Sequence, residues 1–170
     1  MDLKATIRNI PDFPKEGILF RDITTLLRER DAYRELINRL AESLKGKGVE
    51  LVIGPEARGF VIGSALAYAI HAGFIVARKP GKLPAKTLRY SYGLEYGTDV
   101  LEIHEDAIKP GQKVAIVDDL LATGGTALAT IRLVEQAGGI IVAARFAIEL
   151  LDLGGRDMLK GYDVDAIMAF

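Results

Sequence analysis

A chain of 170 residues, 49% apolar and 26% charged, is long enough to bury one sizeable core, and its formal net charge is only −1. That balance gives no electrostatic case for nucleic acid or an acidic membrane surface as the main partner. The chain has no cysteine, which excludes disulfides and thiolate chemistry, and no stretch has the apolar length of a membrane span or a secretory leader, so a cytoplasmic single domain over 1–170 is expected.

In chain order, residues 2–9 read as a short helix, followed by a Pro/Gly-punctuated loop over 11–17. Residues 31–46 are helical, with Tyr33, Leu36, Ile37, Leu40 and Leu44 on one face, and Gly46 and Gly48 end the pattern. A buried strand is expected over 49–53, a small-residue helix over 59–71 and a strand over 74–77. Residues 78–92 form a basic, Pro- and Gly-containing excursion, and strand character resumes over 100–103. After a turn at 109–112 come a strand (114–117), a helix (126–137) and a long strand (140–150). Residues 153–161 are turn-rich or helical, and 164–169 read as a last strand. Strands alternating with helices predict an α/β fold with a mostly parallel, twisted sheet flanked by helices, free of repeats or linkers.

Ligands of such sheets sit beyond the carboxyl ends of the strands. Three polar stretches fall at that edge: Gly54-Pro55-Glu56-Ala57-Arg58-Gly59, Arg78-Lys79, and Asp118-Asp119. The last belongs to a thirteen-residue run, Val-Ala-Ile-Val-Asp-Asp-Leu-Leu-Ala-Thr-Gly-Gly-Thr, over 114–126. Paired carboxylates can accept both donors of a cis-diol. The loop Ala122, Thr123, Gly124, Gly125 and Thr126 has the composition to wrap N–H groups and hydroxyls around a phosphate at a helix N-terminus. Taken alone, Asp-Asp reads equally as a solvated strand end or a helix cap. The loop is neither a Walker A motif nor a dinucleotide fingerprint.

The run resembles the signature of the type I phosphoribosyltransferases, which use 5-phosphoribosyl 1-pyrophosphate (PRPP), and its wording is similar to the adenine-specific branch. Pro11-Asp12-Phe13-Pro14 with Gly17-Ile18-Leu19-Phe20-Arg21-Asp22-Ile23 resembles the N-terminal hood of that branch, placed here within 1–30. Arg58-Gly59-Phe60 resembles its pyrophosphate loop, and Arg78-Lys79-Pro80-Gly81-Lys82-Leu83-Pro84 with Leu94-Glu95-Tyr96-Gly97 resembles its mobile catalytic lid, placed over 78–99. The resemblance implies the type I fold and purine salvage, with adenine and PRPP converted to AMP and pyrophosphate. It assigns the ribose hydroxyls to Asp118 and Asp119, and the 5′-phosphate to Ala122, Thr123, Gly124, Gly125 and Thr126. The pyrophosphate falls to Arg58, Arg78 and Lys82, and the acid–base role at the imidazole edge of the base to Glu95. Adenine falls to Leu19, Phe20, Arg21 and Leu150.

The resemblance also implies a cis peptide at Glu56-Ala57, where this chain departs from the common Asp-Ser pair, as well as a homodimer. Mg²⁺ is expected to arrive with PRPP rather than on protein ligands. His71 reads as structural, and His104 as a surface or strand-end residue rather than a metal ligand. A phosphoribosyltransferase for another base, and a non-enzymatic PRPP sensor, are the alternatives. The sensor lacks a legible DNA-reading module.

Overall fold

The computed structural model describes residues 1–94 and 97–170. The chain enters through a 3₁₀ turn (Lys4–Thr6) and an antiparallel pair, β1 (Arg8–Pro11) with β2 (Leu19–Asp22). The helix expected over 2–9 is therefore a single turn leading into a strand. Leu3 and Ile7 are both buried, and their i, i+4 spacing imitates an amphipathic helix. The ladder to β2, Arg8 opposite Asp22 and Ile10 opposite Phe20, takes the backbone instead.

Helices α1 (Thr24–Arg28) and α2 (Arg30–Ser43) follow, then β3 (Leu51–Pro55), α3 (Arg58–Ala69) and β4 (Gly73–Ala77). The segment expected as a basic excursion folds, from residue 87, as an antiparallel pair of β5 (Thr87–Leu94) and β6 (Gly97–His104). Leu88, Tyr90 and Tyr92 alternate along β5 and pack inward, while Arg89 and Ser91 are exposed. This is the period of a half-buried strand. The remaining elements are β7 (Lys113–Leu121), α4 (Gly125–Gln136), β8 (Ile140–Glu149), a 3₁₀ turn (Leu151–Leu153), α5 (Gly155–Met158) and β9 (Val164–Ala169).

The main sheet is wholly parallel, in the order β4-β3-β7-β8-β9. Both of its faces are covered, so its strands send alternate residues into two cores. Val52, Ala115, Val117, Ala143 and Ala147 join α2 and α3 on one side. Ile53, Val114, Ile116, Ala144 and Phe146 join α4 and the β5/β6 pair on the other. Asp118 and Asp119 are themselves strand residues, since pairing of β7 with β8 continues through Asp118 opposite Phe146 and Leu120 opposite Ile148. The strand expected to stop at 117 thus carries its acids within the ladder.

Candidate active site

Chain direction across the sheet reverses at β3. Its sequential neighbour β4 pairs on one side, and β7 pairs on the other. Helix α3 leaves β3 on one face and α4 leaves β7 on the opposite face, which opens a crevice between the two strand ends. A cavity of about 270 Å³ occupies that position, floored by Asp118 and Asp119 and walled by Glu56, Arg58 and the loop from Ala122 to Thr126.

Each wall has a local cause. The turn after β3 carries the cis peptide Glu56-Ala57, as the resemblance implied. Helix α3 then starts immediately, and Gly59 lets it lean on the strand end: a Cβ there would lie 2.8 Å from Pro55 Cδ and 3.0 Å from Asp118 Oδ1. Arg58 is the first residue of that helix, and its guanidinium reaches across the crevice to pair with Asp119. On the other wall, Gly124 caps α4 in the left-handed conformation, at φ 88°. The first N–H groups of α4, from Gly125 onward, have no acceptor within the helix and face the position an anion would take.

Electrostatics distinguish the two acids. Enclosure in the crevice and the adjacent Asp119 charge together push the Asp118 carboxyl well above its ordinary range. Asp118 Oδ1 also accepts the Asp119 N–H at 2.8 Å. Burial works against the Arg58 charge, but the Asp119 carboxylate more than offsets it, so Arg58 is held more firmly protonated than usual. Asp119 is thus paired with Arg58, while among the described residues Asp118 has no ion-pair partner of its own.

Among the described residues, neither Arg78 nor Lys82 lines the cavity. Arg78 stands behind it, with Nε 3.4 Å from Glu56 Oε1 and its guanidinium over the Phe60 ring at 6.0 Å. That Nε is buried without a hydrogen-bond partner among the described residues. Lys82 is exposed on the loop after β4. Leu19, Phe20 and Arg21 lie on β2, in the hood, and Phe20 is joined to the cavity by the Arg58 guanidinium, 5.9 Å from its ring centroid. Phe13 braces Phe20 edge-on at 5.1 Å. Leu150 follows β8, and its N–H donates to Leu121 O at 2.9 Å, next to the phosphate loop. Glu95, assigned the acid–base role, lies outside the described residues.

Tyr92 and Asp99 escaped the sequence reading, and Glu56 and Lys79, placed at the edge of the site, had no partners assigned. Glu56 accepts the Lys79 N–H at 2.5 Å and so fastens the β3 turn to the start of the excursion. Lys79 Nζ pairs with Asp99, Tyr92 donates to Asp99 at 3.1 Å, and the Tyr92 and Thr126 hydroxyls lie 3.3 Å apart. No spacing rule finds such partners. The one available signal was the alternation around Tyr92, which marks a strand and hence a defined facing direction.

Two adjacent carboxylates, one already engaged by Arg58, do not make a metal cage. Among the described residues no three potential acidic, histidine or cysteine ligands cluster. The donor set fits a cation that comes with a polyphosphate and keeps most of its own water and phosphate ligands. Among those residues, too, no helix is long and apolar enough to cross a membrane.

Residues 22–157 match the family model described as "Phosphoribosyl transferase domain". The chain is 56% identical over 170 residues to the adenine phosphoribosyltransferase of Alkaliphilus oremlandii, covering 100% of this chain and 99% of that one. The crystal structure of adenine phosphoribosyltransferase from Thermoanaerobacter pseudethanolicus superposes with a TM-score of 0.97 at 54% identity, covering 99% and 98% of the two chains. The enzyme from Saccharomyces cerevisiae, solved with an imino-altritol bisphosphate and adenine, gives 0.92 at 39% identity, covering 97% and 96%.

Proposed function

The chain belongs to the phosphoribosyltransferase family, and from that premise we infer that it transfers the 5-phosphoribosyl group of PRPP to adenine, forming AMP and releasing pyrophosphate. Full-length similarity to adenine phosphoribosyltransferases supports the acceptor. The observation that carries the donor half is the crevice itself: one wall is a helix N-terminus, the floor is a pair of acids, and the other wall is an arginine. A sugar phosphate bearing a second anionic group matches all three.

In this reading the 5′-phosphate seats on the N–H groups and hydroxyls of Ala122, Thr123, Gly124, Gly125 and Thr126. The ribose hydroxyls donate to Asp118 and Asp119, which fixes the anomeric carbon against the Arg58 wall. Arg58, joined by Arg78 from behind and by Lys82 from the loop after β4, takes the pyrophosphate. The C1–O bond to pyrophosphate breaks as adenine N9 forms its bond to C1 with inversion. Positive charge gathers on the ribose ring and negative charge on the leaving group. The protein's contribution is to hold both ends and to place cations where the leaving group's charge grows. Glu95 would accept the proton lost at the imidazole edge of the base. The hood supplies the acceptor site, with main-chain groups of Leu19 and Arg21 reading the adenine edge and Phe20 and Leu150 flanking its faces.

Mg²⁺, bound to PRPP, would neutralise part of the pyrophosphate charge. We further propose a cytoplasmic enzyme acting in purine salvage as a homodimer. The α3 face, where Tyr68 is 88% and Val61 43% exposed, is a candidate for the subunit contact.

The deciding experiment is an AMP-forming assay with adenine, PRPP and Mg²⁺, run beside hypoxanthine and guanine. AMP from adenine, with little product from the oxopurines, is expected. Product from another base alone moves the acceptor assignment. Tight PRPP binding without pyrophosphate release converts the reading to a sensor.

A further inference from the structure

The phosphate loop and the β5/β6 pair meet at two hydroxyls. Tyr92 and Thr126 oxygens lie 3.3 Å apart, Tyr92 donates to Asp99 Oδ2 at 3.1 Å, and the same carboxylate oxygen accepts Lys79 Nζ. Each hydroxyl has a single proton to give. Asp99 is acceptor-only: burial works against its charge, but Lys79, the Val100 N–H and Tyr92 together hold its carboxyl below the usual range. Tyr92's proton is therefore committed to Asp99, and the contact with Thr126 is filled by Thr126's proton. Donation runs from Thr126 to Tyr92 to Asp99, where Lys79 arrives from the other side.

A phosphate in the loop, as proposed above, competes for that same Thr126 proton, because a phosphate oxygen can only accept. Once Thr126 donates to phosphate, Tyr92 and Thr126 are two oxygens at 3.3 Å with no proton between them. Either Tyr92 turns its proton to Thr126 and abandons Asp99, or the two oxygens separate. The first breaks a side-chain tie across the β5/β6 pair, between the facing residues Tyr92 and Asp99, and the second loosens the pair from the phosphate loop.

We propose that Tyr92 is a positioning residue that reports 5′-phosphate occupancy to the β5/β6 pair, and through Asp99 to Lys79, by competing with the phosphate for the one proton of Thr126. The inference rests on the phosphate assignment of the loop. It adds a cost to phosphate binding in the free enzyme and converts that cost into movement of the segment that bears Asp99. Because the coupling is reciprocal, anything that draws Lys79 away from Asp99 strengthens the hold of Asp99 on the Tyr92 proton and so opposes phosphate binding.

The test is Tyr92→Phe, which deletes the hydroxyl and keeps the ring packed, with Asp99→Asn as a second, independent weakening of the same relay. Ribose 5-phosphate affinity is measured by calorimetry, and amide exchange across residues 87–104 is measured with and without it. Loss of one competing hydrogen bond predicts that Tyr92→Phe binds ribose 5-phosphate about three- to tenfold more tightly. Asp99→Asn should tighten binding by a smaller factor. The ligand-induced change in exchange seen in the unaltered protein should vanish in Tyr92→Phe. A hydroxyl that merely supports the fold would weaken binding when removed, so unchanged or weaker binding by Tyr92→Phe overturns the relay. So does an exchange pattern in the unaltered protein that ignores the ligand. If the unaltered protein fails to bind ribose 5-phosphate at all, the phosphate assignment itself falls, and the relay with it.

Discussion

Asp118 and Asp119 are neighbours in the chain with different electrostatic surroundings, and that difference sets how each can fail. Asp119 is matched by Arg58, whereas Asp118 is pushed up by enclosure and by Asp119. Replacing both by Asn leaves the size of the crevice unchanged but removes both charges and turns one acceptor oxygen of each side chain into a donor, and turnover should be nearly abolished in a steady-state assay. The acid limb of kcat/KM for PRPP should lie above the ordinary carboxylate range, because an acceptor-only Asp118 requires its proton to be gone. In the residual activity of Asp119→Asn that limb should move down in pH, since a like charge is removed and Arg58 is released. Away from the cavity, Asp22 is held at about 2, against an ordinary 3.8, by the Thr24 hydroxyl, Arg8 and the Thr24 N–H. A lowered carboxyl stabilises the native state above its unfolded pKa and loses that contribution as pH falls through the native value. Stability should drop by about 1–2 kcal/mol between roughly pH 4 and 2, after allowance for the half-exposed Arg8, and Asp22→Asn should flatten that portion of a urea-denaturation series. At this scale the acids, Arg58 and the glycine loop were legible because they sit at strand ends within short motifs. Tyr92 and Asp99 were not, nor were the partners of Glu56 and Lys79, because those are chosen by how separate segments meet.

Helix α4 illustrates how an element transmits constraint to a site. Its cap, Gly124, has φ 88°, and a Cβ there would meet Gly155 O at 2.7 Å, so the loop can neither relax nor accept a side chain. Gly124→Ala should cost about 1–2 kcal/mol for the left-handed residue alone, with further loss as α5 is displaced. A lowered thermal midpoint together with a raised KM for PRPP is expected. The elements differ in how plainly the sequence announced them. Helix α2 and the strands of the parallel sheet follow simple periods with clear stops. The N-terminal segment misled because Leu3 and Ile7 satisfy a helical spacing while the backbone between Arg8 and Pro11 pairs with β2. In β5, the charged and Gly/Pro-rich stretch ahead of Thr87 masked an alternation that was present all along.

Across the whole molecule, Arg145 is the clamp between layers. It is almost fully buried on β8, and it reaches Ser43 Oγ at 3.1 Å on α2, Asp163 O at 2.8 Å and Asp163 Oδ2 at 2.9 Å ahead of β9. Arg145→Ala should destabilise by about 2–4 kcal/mol, since several buried donors and a packed stem are lost together. KM values measured on the folded fraction should be unaffected. Denaturant unfolding beside steady-state kinetics separates the two effects.

The pairing of Arg58 with Asp119 joins residues 61 positions apart. During synthesis, β3, α3 and β4 leave the ribosome well before β7, yet β7 must insert between β3 and β8 before the crevice exists. Closure of that long loop makes the pocket a late product of folding. A ligand of the pocket therefore cannot assist the nascent chain and rewards only the finished sheet, by about 2.7 kcal/mol at a hundredfold excess over its Kd. In a cell short of such a ligand, the same sequence would fold along the same route and simply be easier to lose once made.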